Sequence, residues 1–179
     1  MTELQPLEIN SPNNEVILRQ FAIADAEEIF KLIDRNREHL SQHGEDTAEK
    51  YPDLESVRES ILQPADPKRL RFAIRDRQGI FLGGINLTPD KDNPQRGEVG
   101  YYLGSEATGK GYVTRAMELL SNYAFNTLQY LELYCLVAET NTPSIRVMQR
   151  AGFVKTGRQR DEKKNQEMIV FSKLKKLTL

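Results

Sequence analysis

The spacing of apolar positions changes several times along this chain, and each change marks a predicted element. Val16 to Phe21 is short and apolar-rich, and reads as a strand. Ala26, Ile29, Phe30 and Ile33 then fall on one helical stripe, with Asp25 and Glu28 in front of it at capping-box spacing. Asn36 to Tyr51 is highly charged and weakly patterned. Leu54, Val57, Ile61 and Leu62 predict a second amphipathic helix that stops before Pro64. Arg71 to Arg75 and Ile80 to Leu87 predict two antiparallel strands around the turn Asp76 to Gly79, and another strand ends near Leu103.

From Gly111 the period becomes helical, with Val113, Ala116, Met117, Leu120 and Ala124 on one face and Leu128 extending it. Leu131 to Val137 reads as a strand. Thr142 is placed to cap a further helix with Pro143 at its first position; Ile145 and Met148 face inward and Gly152 ends it. Phe153 onward and Met168 to Leu174 predict two closing strands around the polar turn Asp161 to Asn165. The order of elements is that of one mixed α/β domain over residues 15–179, and residues 1–14, polar and proline-punctuated, read as a flexible arm.

Composition narrows the class. The chain has 179 residues, a formal net charge of −1 and one cysteine, Cys135. Near-balanced charge argues against a broad nucleic-acid surface, and a lone cysteine excludes an internal disulfide framework. The first residues carry no signal-peptide pattern and no apolar run reaches membrane-spanning length, so a cytoplasmic protein is expected. Oligomeric state is not legible.

The chemistry concentrates in Glu98 to Ala116, a strand, a short glycine-bearing loop and a helix start. Such a loop frees backbone N–H groups at the positive end of a helix dipole, where phosphate binds. Gly104 to Lys110 matches the opening of a P-loop, but Gly111 stands where that motif needs Ser or Thr for Mg²⁺. Gly100-Tyr-Tyr-Leu, Gly109-Lys-Gly-Tyr-Val-Thr-Arg-Ala and Glu139-Thr-Asn-Thr-Pro-Ser-Ile-Arg-Val-Met-Gln-Arg-Ala-Gly-Phe153 follow in order. With Leu18-Arg19, Asp25-Ala26 and Asn36-Arg-Glu-His-Leu, they resemble the GNAT superfamily of acetyl-CoA-dependent N-acetyltransferases, in particular its RimJ/RimL-like, ribosomal-protein branch.

That resemblance implies the GNAT fold, a mixed, mostly antiparallel sheet flanked by helices, with acetyl-CoA as cosubstrate and no metal. It implies pyrophosphate contacts from Gly109, Lys110, Gly111, Tyr112, Val113 and Thr114, with Glu106 pointing away from the phosphate. Backbone amides near Tyr102 and Leu103 would polarise the thioester, because the family splays this strand from the next. Asn141 would bond the pantetheine arm. Many relatives protonate the departing thiolate with a tyrosine seven residues after that asparagine, but Met148 stands there; the RimL-like alternative is Ser144. Glu98 is the candidate base, acting through water. Arg150, with Arg146, is a candidate for the coenzyme's 3′-phosphate. The implied partner is an amine acceptor, a protein N-terminal α-amine first, and a polyamine, amino acid or aminoglycoside otherwise. A non-catalytic acyl-CoA sensor is a third reading.

Plainer roles stand beside these. Glu98 is also readable as a solvated strand residue, Ser144 as a first-turn backbone ligand, Asn141 as a turn residue and Arg146 and Arg150 as a solvated helix face. His39 and His43 have the spacing of a metal pair but no third ligand follows; the resemblance would set them beside the acceptor pocket, in reach of substrate. Glu38, Glu45, Asp46 and Glu49 read as solvent-facing acid. Tyr101 and Tyr102 alternate across their strand, so one ring faces the cleft. Cys135 lies mid-strand without a neighbouring histidine, a poor nucleophile.

Overall fold

The computed structural model describes residues 6–13 and 15–176. Its strands are β1 (Glu8–Asn10), β2 (Val16–Gln20), β3 (Leu70–Asp76), β4 (Phe81–Pro89), β5 (Arg96–Leu103), β6 (Glu132–Ala138), β7 (Val154–Asp161) and β8 (Gln166–Leu174). Its helices are α1 (Ala26–Arg35), α2 (Thr47–Lys50), α3 (Leu54–Leu62), α4 (Tyr112–Asn126) and α5 (Thr142–Arg150). The strands form one sheet in the order β1-β2-β3-β4-β5-β6-β8-β7. Every pairing is antiparallel except β5 with β6.

Alternation along the strands sends side chains to two cores. Val16, Leu18, Phe72, Ile74, Ile85 and Val99 meet Val113, Ala116, Met117 and Leu120 of α4 on one face. Ala73 and Phe81 meet Ile29, Leu32 and Ile33 of α1 and Val57 of α3 on the other. On β5 the same alternation gives Val99, Tyr101 and Leu103 to the α4 face and Tyr102 to the α1/α3 face.

Four expectations are corrected. The first is the arm: Glu8 to Asn10 pairs antiparallel with β2, Leu7 accepts a backbone hydrogen bond from Gln20 at 2.8 Å, and Leu7 and Ile9 pack on the core. Two apolar residues two positions apart, Leu7 and Ile9, suffice for an edge strand; residues 1–5 and Asn14 lie outside the described residues. The second is the box at Asp25 and Glu28. Asp25 accepts instead from the Ala22 N–H at 2.8 Å and is buried against Arg19 and Arg75, while Glu28 pairs with Arg75. Long-range partners outcompete a local cap here. Third, Leu62 is off the buried face of α3, at 65% exposure. Fourth, the cap of α5 is Asn141, whose Oδ1 accepts from Ser144 N–H at 3.1 Å, and Thr142 is already helical.

Candidate active site

β5 and β6 run together only as far as Glu98 and Tyr134, then part. Each is drawn to its other neighbour. β6 stays paired with β8 along its whole length, from Glu132 with Leu174 to Ala138 with Met168. β5 leans on β4, where a Cβ on Gly83 would lie 2.1 Å from the Tyr102 carbonyl and one on Gly84 would lie 2.6 Å from the Tyr102 ring. Only glycine at both positions allows that approach.

The fork leaves backbone groups of β5 without a ladder partner. Gly104 N–H donates to the Leu82 carbonyl at 2.9 Å, which fixes the alternation. Tyr102 N–H therefore turns to β4, and the Tyr101 and Leu103 N–H groups point into the opening. Of the two amides expected to polarise a carbonyl, Leu103 is so placed and Tyr102 is not; the Tyr101 amide replaces it.

Below the fork the chain reverses through a 3-10 turn, Ser105–Ala107, into α4. Asn36, buried at the end of α1, donates to the Leu32 carbonyl at 2.8 Å and accepts from the Ser105 N–H at 3.0 Å and its hydroxyl at 2.7 Å. This gives the Asn36 segment a physical role: it clamps the loop to α1. Gly109 and Gly111 have φ of +74° and +80°, a left-handed backbone suited to glycine. Gly111 is the N-cap of α4, with neither a side-chain cap bond nor an acidic residue in the first turn. The first N–H groups of α4 are thus open to an anion. Glu106 turns away, 3.4 Å from Arg35, as expected.

Fork, loop and α5 enclose a cleft of about 450 Å³. Tyr102, Leu103, Gly109, Gly111, Tyr112, Val113, Thr114, Asn141, Ser144 and Arg150 all line it, with Arg146 beside Arg150; Lys110 does not. Ser144 presents its hydroxyl to that of Tyr101, 2.7 Å away, so of the paired tyrosines it is Tyr101 that meets α5. Burial raises the Tyr101 pKa, and the Ser144 hydrogen bond only partly opposes this, so the phenol stays protonated. Met148, in the position where many relatives carry tyrosine, is fully buried.

Glu98 stands at the branch point of the fork and lines neither this cleft nor a smaller neighbouring cavity. Burial raises its pKa above the ordinary carboxylate value, against a 3.4 Å hydrogen bond from the Tyr134 hydroxyl and the nearby charges of Arg69 and Arg96. The smaller cavity, about 90 Å³, shares Thr47, Tyr101 and Tyr102 with the cleft and carries Lys50, Arg69 and Arg71 on its walls.

The charged segment after α1 borders the cleft, where the resemblance puts His39 and His43, and it also brings in an acid that the weak pattern left at the surface. His39, His43 and Glu45 line the cleft. Glu45 accepts from Asn141 Nδ2 at 2.9 Å and from its own loop at His43 N–H, and the loop is tied to β8 by Gln166 Nε2 donating to the His43 carbonyl at 3.1 Å. The expectation of solvent-facing acid fails for Glu45, because a contact across 96 positions leaves no periodic signal. The Asn141 amide is meanwhile committed to the helix cap and to Glu45. Among the described residues no three His, Cys, Asp or Glu side chains come together as a metal site. Cys135 is buried, and burial with the Glu98 charge pushes its thiol up to about 12, so it is not a thiolate nucleophile.

A family model described as an acetyltransferase (GNAT) domain matches residues 15–154. YdaF of Bacillus subtilis (strain 168), provisionally named a ribosomal N-acetyltransferase, is 29% identical over 154 residues, covering 83% of each chain. Spermidine N(1)-acetyltransferase of Escherichia coli (strain K12) is 26% identical over 140 residues, 78% of this chain and 73% of that one. The crystal structure of ribosomal-protein-S5-alanine acetyltransferase from Vibrio fischeri superposes with a TM-score of 0.79 over 94% of this chain and 96% of that one; at 22% identity it bears on the fold. A P-loop NTPase reading ends with this match and with the antiparallel strands before the loop. The chain belongs to the GNAT acetyltransferases and is an acetyl-CoA-dependent N-acetyltransferase.

Proposed function

We propose that this enzyme acetylates the α-amine at a protein N-terminus in the cytoplasm, by direct attack on acetyl-CoA lying in the fork. The observation that carries this reading is the hydroxyl of Ser144, held by Tyr101 at 2.7 Å on the wall of a cleft whose other wall is the bared β5 edge. The open N–H groups of α4 with Gly109 and Gly111 take the pyrophosphate, and Arg146 and Arg150 lie along the same wall for the 3′-phosphate. The Tyr101 and Leu103 amides point where the thioester oxygen gains charge during attack. Asn141 Nδ2 exchanges Glu45 for the pantetheine arm.

The amine nitrogen forms a bond to the thioester carbon as the carbon–sulfur bond breaks. Its proton passes through water to Glu98 and on to solvent, while the Ser144 hydroxyl, held by Tyr101, hydrogen-bonds the leaving sulfur and relays to it a proton from water, so that both hydroxyls end protonated as they began. Ordered approach lowers the barrier without a covalent enzyme intermediate. An α-amine suits the walls better than a polyamine does, because Lys50, Arg69 and Arg71 on the acceptor side repel a multiply charged cation. The relative named spermidine N(1)-acetyltransferase motivates the second reading, a small amine. Free-thiol release is to be followed with N-terminally free peptides, the same peptides blocked at the α-nitrogen, and spermidine. Release only from free peptides, with acetyl on the α-nitrogen by fragmentation mass spectrometry, is expected; turnover of spermidine alone would reject the peptide reading.

A further inference from the structure

The smaller cavity holds hydrogen-bond donors in excess of acceptors. It is walled by Phe21, Ile29, Val57 and Ile61, and borders the cleft, with which it shares Thr47, Tyr101 and Tyr102. The Tyr102 hydroxyl on its wall is buried and has no hydrogen-bond partner among the described residues. A buried hydroxyl left unpaired is disfavoured, so this one marks a place where a ligand oxygen belongs. Arg71 lies beside it, stacked 5.5 Å over the Phe21 ring, with its guanidinium held by the Ser60 carbonyl and hydroxyl. Lys50 pairs with Asp46, the one carboxylate of the lining, at 2.9 Å. Arg69 is the remaining cation; Glu98 feels its charge without bonding it.

Hydrogen-bond donors and net positive charge around a small, partly open space are the complement of a carboxylate, which offers two oxygens and several lone pairs. We propose that this cavity seats a carboxylate of the acceptor, so that the enzyme selects amines carrying an acidic group a few bonds from the reacting nitrogen. Arg69 supplies the charge and Tyr102 donates its hydroxyl. The inference rests on the reading that the amine reacts at the fork, and it adds the class of amine: an acidic residue beside a peptide's N-terminus, or the carboxylate of a free amino acid.

The test uses the full chain with acetyl-CoA and C-terminally amidated peptides identical except for Glu, Gln or Lys at the second position, together with free glutamate and spermidine. The Glu peptide is expected to exceed the Gln peptide by about tenfold in kcat/KM, and the Lys peptide and spermidine to fall below both. Tyr102→Phe keeps the ring and Arg69→Ala is an exposed truncation, so both fold, as thermal melting checks. Each shrinks the Glu-to-Gln ratio toward one, and Arg69→Glu shifts preference toward Lys. Free glutamate outpacing every amidated peptide supports the carboxylate seat and moves the acceptor from a peptide N-terminus to a free amino acid. Equal turnover of Glu and Gln peptides, a spermidine optimum, or a ratio untouched by either variant overturns the inference while leaving acetyl transfer standing. No thiol release from any amine overturns the proposed reaction and the inference together.

Discussion

The two walls of the cleft are built on different principles. The wall proposed for the coenzyme, from Tyr101 through α4 and α5, works largely with its backbone: bared amides on β5, open N–H groups at α4 and left-handed glycines between them. The acceptor wall, from Asn36 to Arg71, works with side chains gathered from distant positions, such as Glu45 against Asn141 and Arg71 against Tyr102. A backbone site needs particular conformations and therefore particular residues at fixed spacing. A side-chain site needs only that some residue of the right charge arrive. Substitutions on the coenzyme wall are therefore expected to act steeply, and those on the acceptor wall to change selectivity.

The steepest expected effect is at Gly111. A Cβ there would meet Arg115 Nη1 at 3.1 Å, the end of a flexible side chain, so space is not the obstacle. The obstacles are the φ of +80°, which costs an L-residue about 1 kcal/mol, and charge facing the phosphates. Gly111→Asp is predicted to weaken coenzyme A binding by roughly 100-fold in calorimetry, since repulsion adds to the lost helix-terminus attraction. Gly111→Ala, with the backbone penalty alone, should lose far less. Equal loss in both would locate the phosphates away from this terminus.

Ser144 ranks next. Ser144→Ala removes the hydroxyl proposed to meet the sulfur but keeps Asn141 capping the Ser144 N–H, so α5 keeps its first turn. Turnover should fall about 100-fold, the lower range for a positioned proton donor, with KM for acetyl-CoA little changed. Tyr101→Phe should give a smaller loss of the same kind, because it strips the partner of that hydroxyl and not the donor itself. A KM effect without a kcat effect in Ser144→Ala would make it a positioning residue.

The same contrast decides what was legible in the sequence. Gly109, Gly111, Asn141 and Ser144 stand out because spacing and backbone conformation travel together, and the helical stripe of α4 and the strands around Asp76 to Gly79 follow from periodicity. What was missed depends on tertiary partners. β1 exists because Leu7 and Ile9 find a core, and Asp25 abandons a local cap for two arginines, one of them fifty positions on. Asn141 rather than Thr142 caps α5 because its side chain also reaches Glu45. The Tyr102 amide, expected in the fork, faces β4 because register, which a single strand does not encode, settles which residues of β5 point outward.

The smallest effect expected is at Glu98, at the branch point of the fork. Glu98 is half-buried and lines neither cavity, so its proposed role runs through water, which can take over part of its work; Glu98→Gln is predicted to lower kcat/KM only about tenfold, below the usual range for a directly bonded base. Its pH signature is sharper than its size. A base works ionised, so activity is present above its pKa and lost as pH falls through it. Burial raises that pKa, with the Tyr134 hydroxyl and the arginine charges opposing, so the acid limb of kcat/KM should lie above the ordinary glutamate value of 4.5. Tyr134→Phe removes a bond to the carboxylate and should move the limb further up, while Glu98→Gln should abolish it. An unchanged limb in Glu98→Gln would transfer the proton to another group, and Glu45, already on the cleft wall and bonded to Asn141, is where the next substitution belongs.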